Sequence, residues 1–181
     1  VNVLDVVMVV GHILGTAELS GDGFDNADMD GSGDLNVLDV VMIVDIILNG
    51  RADNATSATI NKAGETVNIE SNGFVGAVQM TLTHGDNFSI EMPTDAMVAD
   101  YNTDGNTTTL IVVAPVAELF TAEGNFTIDE VIAATTDGYV NVEINTPSEY
   151  SISAAYPNPF NPTTNLTLDL NVDANVNIKV F

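Results

Sequence analysis

Asp28-Met-Asp30-Gly-Ser32-Gly33-Asp34-Leu-Asn36-Val-Leu-Asp39 runs directly into the apolar stretch Val40-Val-Met-Ile-Val44. The end of this stretch belongs to a repeat. Asn2-Val-Leu-Asp-Val-Val-Met-Val-Val-Gly-His-Ile-Leu14 returns, 34 residues on, as Asn36-Val-Leu-Asp-Val-Val-Met-Ile-Val-Asp-Ile-Ile-Leu48, with 10 of 13 positions identical. Each copy reads as a short helix. Asn36 is placed to cap the second, with Asp39 in the first turn near the positive end of the helix dipole. Asn49-Gly50 and Gly15 supply the stops. Val37, Leu38, Val40, Val41, Ile43, Val44, Ile46, Ile47 and Leu48 cover nearly the whole circumference and leave only Asp39 and Asp45 polar. β-Branched residues are mediocre helix formers, so these turns need burial on several sides to persist. Packing the copies together hides one face of each, and the remainder needs another partner.

The residues before the second helix place oxygen donors at loop positions 1, 3, 5, 9 and 12: Asp28, Asp30, Ser32, Asn36 and Asp39. Gly33 falls at position 6, where the chain must turn sharply, and the backbone carbonyl of Asp34 serves position 7. That spacing, followed at once by a helix, suits Ca²⁺, a hard cation that takes six to eight oxygens. Ser32 is neutral and Asp39 is shorter than the usual Glu, so the affinity expected is below that of the tightest loops of this kind.

Composition agrees with a metal-binding exterior. Three basic side chains stand against 26 acidic ones, a formal net charge of −23. Arg51, Lys62 and Lys179 are too few to neutralise a run of phosphates, so nucleic-acid binding is excluded, and an anionic membrane surface would repel the chain. The hydrophobic fraction of 45% and mean hydropathy of +0.22 mark a folding chain, not an acidic disordered tail. No cysteine is present, which removes disulfides, thiolate ligands and thiol nucleophiles together. The longest apolar run, Val40–Val44, cannot span a bilayer.

These N-terminal residues resemble a dockerin, the module of two Ca²⁺-loop–helix repeats that plugs into a cohesin. The resemblance covers both helices and the whole second loop. It also places Asn2 and Asp5 at positions 9 and 12 of a first loop, whose earlier positions would lie upstream, so the chain is expected to begin inside a metal loop. Val3-Leu4 and Val37-Leu38 stand where cellulosomal dockerins often carry Ser-Thr, which favours burial against a neighbouring domain.

After a polar linker over 51–57, alternation and turn signals replace helical periodicity. Strands are expected at Thr66–Glu70, Gly76–Thr83, Phe88–Met92, Met97–Asn102, Thr108–Val113, Asn125–Ile132 and Tyr139–Ile144, with hairpin turns at Asp104-Gly105 and Asp137-Gly138. Seven short strands predict an antiparallel β-sandwich over 58–147. Gly73-Phe-Val-Gly-Ala-Val-Gln-Met-Thr-Leu82, Leu110-Ile-Val-Val113 and Phe126–Ala134 look like a small cohesin-like or related carbohydrate-binding-like sandwich. Residues 148–181 open with Ala155-Tyr-Pro-Asn-Pro-Phe-Asn-Pro-Thr-Thr164, followed by alternating Leu166–Leu170 and Val176–Phe181. A hairpin through Asn171–Asn175 is expected, docked on the sandwich or on another chain. The string resembles the start of the C-terminal sorting domain of type IX secretion cargo, which implies export to the cell surface or beyond, with the chain stopping inside that module.

The fold expected is therefore α+β by segment: paired short helices with an EF-hand-like loop, an antiparallel sandwich and a C-terminal hairpin. No catalytic residue is assigned. His12 lies in an apolar helix and His84 beside a Gly-Asp turn, while Asp129-Glu130 and Asp86 with Asp100 read as solvated carboxylates in an acidic chain. The function expected is a non-catalytic, calcium-stabilised extracellular module that anchors or assembles a cell-surface protein. Helices 3–14 and 37–48 would bury against the chain's own sandwich or against a protein partner, self-assembly being one form of the latter. Two alternatives are the accessory region of a secreted polysaccharide hydrolase, and a carbohydrate-binding module using Tyr101, Tyr139 and Phe88.

Overall fold

Both copies of the repeat begin on the same hydrogen-bonded cap. In the computed structural model, which describes residues 1–50, 53–145, 150–159, 162–170 and 176–177, they form α1 (Val3–Ile13) and α3 (Val37–Leu48). The Asn2 side chain accepts the Leu4 N–H at 2.8 Å while Asp5 accepts the Asn2 N–H at 2.7 Å. Asn36 and Asp39 repeat the arrangement with the Leu38 N–H at 2.8 Å and the Asn36 N–H at 2.9 Å. Two orphan donors at each helix start are thereby satisfied. The stops are left-handed: Gly15 has φ +73°, Asn49 +59° and Gly50 +62°. Between them lies α2 (Asp22–Ala27), a helix the sequence reading lacks; it is short and carries Asp22 and Asp25 in its first turn. His12 ties α1 to the chain leading into α2. Its Nδ1 accepts the Leu19 N–H at 3.1 Å and its ring meets Phe24 edge-on at 5.7 Å.

The strands that follow are β1 (Ser57–Ala63), β2 (Thr66–Ser71), β3 (Ala77–His84), β4 (Ser89–Glu91), β5 (Val98–Asp104), β6 (Thr107–Val113), β7 (Glu118–Glu123), β8 (Phe126–Thr135), β9 (Gly138–Tyr139) and β10 (Asn141–Asn145). They make two five-stranded sheets, ordered β10-β1-β2-β7-β4 and β5-β6-β3-β8-β9. Two points correct the expected antiparallel pattern. β10 runs parallel to β1, with Ser57 opposite Asn141 and Asn61 opposite Asn145. β1 and β7 were not anticipated, because Ser-Ala-Thr-Ile-Asn-Lys-Ala and Glu-Leu-Phe-Thr-Ala-Glu lack clean alternation of large apolar residues. At the β5–β6 hairpin Asp104 faces Thr107, so Gly105-Asn106 is the two-residue loop, entered by Gly105 at φ +58°.

Between the sheets lies a core of Ile60, Val67, Val78, Met80, Leu82, Leu110, Val112, Leu119 and Phe120, all fully buried. The other face of the β3–β6–β8 region is also covered. Ala77, Ile111, Val113 and Ala134 form a second core with Val6, Val9 and Val10 of α1 and Val37, Val40, Val41 and Val44 of α3. That double coverage explains Leu110-Ile-Val-Val113, a continuous apolar run instead of an alternating one. Gly76 admits α3 closely, since a Cβ there would fall 2.7 Å from Val41 Cγ1. Asn102 on β5 donates to the Leu14 carbonyl at 3.0 Å, capping α1's C-terminal end.

Of the expected 51–57 linker, Arg51 and Ala52 lie outside the described residues, while 53–56 are bound to the sandwich. The Phe74 N–H donates to the Asp53 carbonyl at 2.7 Å, and the Ala55 N–H donates to the Phe74 carbonyl at 2.9 Å. The Asn54 side chain donates to Thr136 and Asp137. Further on, β11 (Tyr150–Ile152) pairs antiparallel with β12 (Leu168–Leu170), and Tyr156 bridges Asn165. The Tyr-Pro-Asn-Pro string thus sits in the connection between these arms. One arm, β12, falls within the expected strand Leu166–Leu170, but its partner here is β11 instead of Val176–Phe181. The turn at Asn171–Asn175 and the strand Val176–Phe181 lie outside the described residues, apart from Val176 and Asn177. Ile152, Tyr156 and Leu166 are exposed.

Candidate metal centre

The loop from Asp28 to Asp39 is shaped by its own backbone donors. Asp28 accepts the Ser32 N–H at 3.0 Å through one carboxylate oxygen and the Gly33 N–H at 2.9 Å through the other. Asp30 accepts the Ser32 N–H at 2.9 Å. Gly31 at φ +70° and Gly33 at φ +90° make the turn in a region that L side chains resist. The result draws three carboxylates together. One oxygen each from Asp28, Asp30 and Asp39 lies within 4.8 Å of the other two. Oxygens at roughly 2.3–2.6 Å from a calcium ion stand up to about 5 Å apart across it, so all three fit one coordination sphere.

Asp39 differs from its neighbours in being completely buried. One oxygen accepts the Met29 N–H at 2.8 Å and the Asp30 N–H at 3.4 Å, and the other accepts the Asn36 N–H at 2.9 Å. It therefore joins the first residues of the loop to the first turn of α3. Asp30 is exposed. The Ser32 hydroxyl, and then the Ser32 N–H, hold its carboxyl below the usual carboxylate range. Other expected ligands are engaged locally. The Ser32 hydroxyl oxygen also lies 3.1 Å from the Asp34 carbonyl, and Asn36 Nδ2 reaches the same carbonyl at 3.4 Å. Asn36 Oδ1 is committed to the Leu38 N–H, so a ninth-position contact suits a bridging water better than direct ligation.

Asn2 and Asp5 are not brought to this group. Their oxygens close the α1 cap, and among the described residues the converging acidic group contains neither. Among the described residues no cationic side chain answers the three carboxylates either. Lys62 is the only lysine or arginine among the described residues, and it closes one end of the sandwich. Its Nζ sits 3.7 Å over the Phe126 ring and donates to the Phe126 carbonyl at 2.9 Å, and burial pushes the ammonium below its usual range. This contact carried no signal in the sequence, because β1, the strand that turns Lys62 inward, was itself not anticipated.

Of the other polar residues singled out in the sequence, His84, Asp129 and Asp86 are held by neighbours. His84 meets Thr108 Oγ1 at 2.9 Å and the Gly85 carbonyl at 3.0 Å, and its ring stacks on Phe88 at 4.0 Å. Asp129 accepts from the Thr83 and Thr127 hydroxyls, and Asp86 from Asn106. Tyr101 and Tyr139 occupy opposite edge strands of one sheet, and Phe88 lies under His84, so these three rings form no common platform.

No family model matches the chain, and neither does any curated protein sequence. Among solved structures, the chain is similar to a non-cellulosomal cohesin from the hyperthermophilic archaeon Archaeoglobus fulgidus, at 19% identity and a TM-score of 0.37, over 49% of this chain and 86% of that one.

Proposed function

We propose that the chain is a non-catalytic, calcium-braced structural module of an extracellular protein, in which a dockerin-like helical repeat serves as the cap of its own sandwich. The observation that carries this reading is the seating of α1 and α3 on the outer face of the β5-β6-β3-β8-β9 sheet, with the Asp28–Asp39 loop at the head of α3. Calcium at Asp28, Asp30 and Asp39 would relieve the repulsion of three converging carboxylates and lock the start of α3. The helix–sandwich unit then acts as a stiff spacer, and the Tyr156–Thr164 string supports export by a type IX-like route. A second reading, assembly between chains, is favoured by one feature: Val3, Leu4, Val7 and Met8 leave an apolar side of α1 exposed.

Light scattering on a size-exclusion column, in calcium and then in EDTA, tests both. A monomer in both conditions, with a lower melting temperature in EDTA, is the result expected of the braced spacer. A large species in calcium that collapses to a monomer in EDTA would favour assembly. A chain indifferent to EDTA would overturn the calcium reading.

A further inference from the structure

We infer that the outer sheet sets the calcium affinity of the loop through α3, with Gly76 as the positioning residue. This rests on the calcium reading above and adds a remote control to the same site. Asp39, in the first turn of α3, is fully buried and gathers N–H groups from Met29, Asp30 and Asn36. Two residues further along α3, at the start of its second turn, Val41 meets Gly76, where a Cβ would fall 2.7 Å from one Val41 methyl and 2.9 Å from the other.

Neither partner in that contact can yield easily. The Gly76 N–H donates to the Ala134 carbonyl at 2.9 Å, and its carbonyl accepts the Ala114 N–H at 2.7 Å, so its backbone is pinned from both neighbouring strands. Val41 is β-branched and has one strongly preferred rotamer in a helix. Any displacement at Gly76 therefore shifts α3 as a rigid element, and with it the first turn that carries Asp39 and the Asn36 cap. Gly76 does not lie in the left-handed region, so alanine there adds bulk without backbone strain. The coupling is reciprocal: an ion that fixes Asp39 also holds Val41 on the sheet.

The experiment is a calorimetric titration of the full chain with calcium alone. Gly76→Ala is expected to weaken binding about tenfold, within the range of intramolecular coupling. In the double variant Val41→Ala/Gly76→Ala both clashing methyls are gone and only the Cβ of residue 41, 3.2 Å from the added carbon, still presses on it, so affinity is expected to return to within about threefold of the parent. A Gly76→Ala chain with parental affinity, or a double variant in which the two losses simply add, would overturn the inference while leaving the loop a calcium site. A parent chain that takes up no calcium would overturn the loop reading and this inference with it. Should Gly76→Ala fail to fold, hydrogen exchange on the parent decides the matter. Calcium is expected to slow exchange at the Gly76 and Ala114 amides about tenfold, and unchanged rates there would refute the coupling.

Discussion

Asp5 and Asp39 occupy the same position in two nearly identical helices, and replacing each by alanine is expected to have very different consequences. Asp5 accepts one N–H, from Asn2, and is half exposed. Losing it should cost about 1 kcal/mol, the ordinary value of an N-terminal cap. Asp39 accepts three N–H groups and has no exposed surface. Hydrogen bonds to a charged group contribute about 1.5–3 kcal/mol each, but Met29 and Asp30 are exposed and their N–H groups can rehydrate, so the expected loss is about 3 kcal/mol. These values apply in EDTA. With calcium at one hundred times its dissociation constant the parent gains about 2.7 kcal/mol, which Asp39→Ala forfeits, and the difference widens to about 6 kcal/mol. Asp5→Ala should keep the whole calcium increment. Urea unfolding followed by far-ultraviolet circular dichroism, with and without calcium, measures all four quantities. Equal losses for the two variants in EDTA would refute the argument from burial. A full calcium increment in Asp39→Ala would refute its place at the metal.

Met80→Ala, which empties a fully buried site between the sheets, should lower stability by about 2–5 kcal/mol in the same assay, whereas Leu4→Ala on α1's exposed side should stay within about 0.5 kcal/mol. Acid titration in EDTA should expose Asp30. Its carboxyl is held below the ordinary value of 3.8 in the folded chain, so its contribution is complete above that value and is lost as pH falls through the lower folded-state value. Asp30→Asn should remove that part of the acid dependence, and melting curves that shift with pH identically in parent and variant would contradict the assignment.

Much of the local structure was legible in the chain. The repeat announced two helices, an Asn cap on the second and glycine-bearing stops after both; the helices formed, and Asn2 turned out to cap the first as Asn36 caps the second. The spacing of Asp28, Asp30 and Asp39 was enough to bring three carboxylates together, because a twelve-residue loop with glycine at the turn leaves few other ways round. Alternation and turn signals found β2, β3, β4, β5, β6 and β8. They passed over β1, whose inward positions are Ala58, Ile60 and Lys62, and β7, where the large buried residues Leu119 and Phe120 are adjacent instead of alternating, and they could not foresee that β10 would lie parallel beside β1. The last case is general. Strand direction depends on where the chain re-enters the sheet, which no window of residues encodes.

Residue order by itself determined which segments could become helix, loop and strand, because caps, glycine turns and apolar periods act over a few neighbours. It also required that such apolar helices be buried. Only the tertiary structure decided against what, and how unequally. Val3 and Val7 of α1 are 40% and 45% exposed, whereas Val37 and Val41, the same residues in the same repeat, are each 1% exposed against loop and sheet. Asp5 and Asp39 part company in the same way. Burial belongs to the surroundings: for the apolar side of α3 these include Gly76, Ala77, Ile111, Val113 and Ala134, residues far along the chain that the repeat itself does not contain, and for Asp39 they are the loop residues Met29 and Asp30.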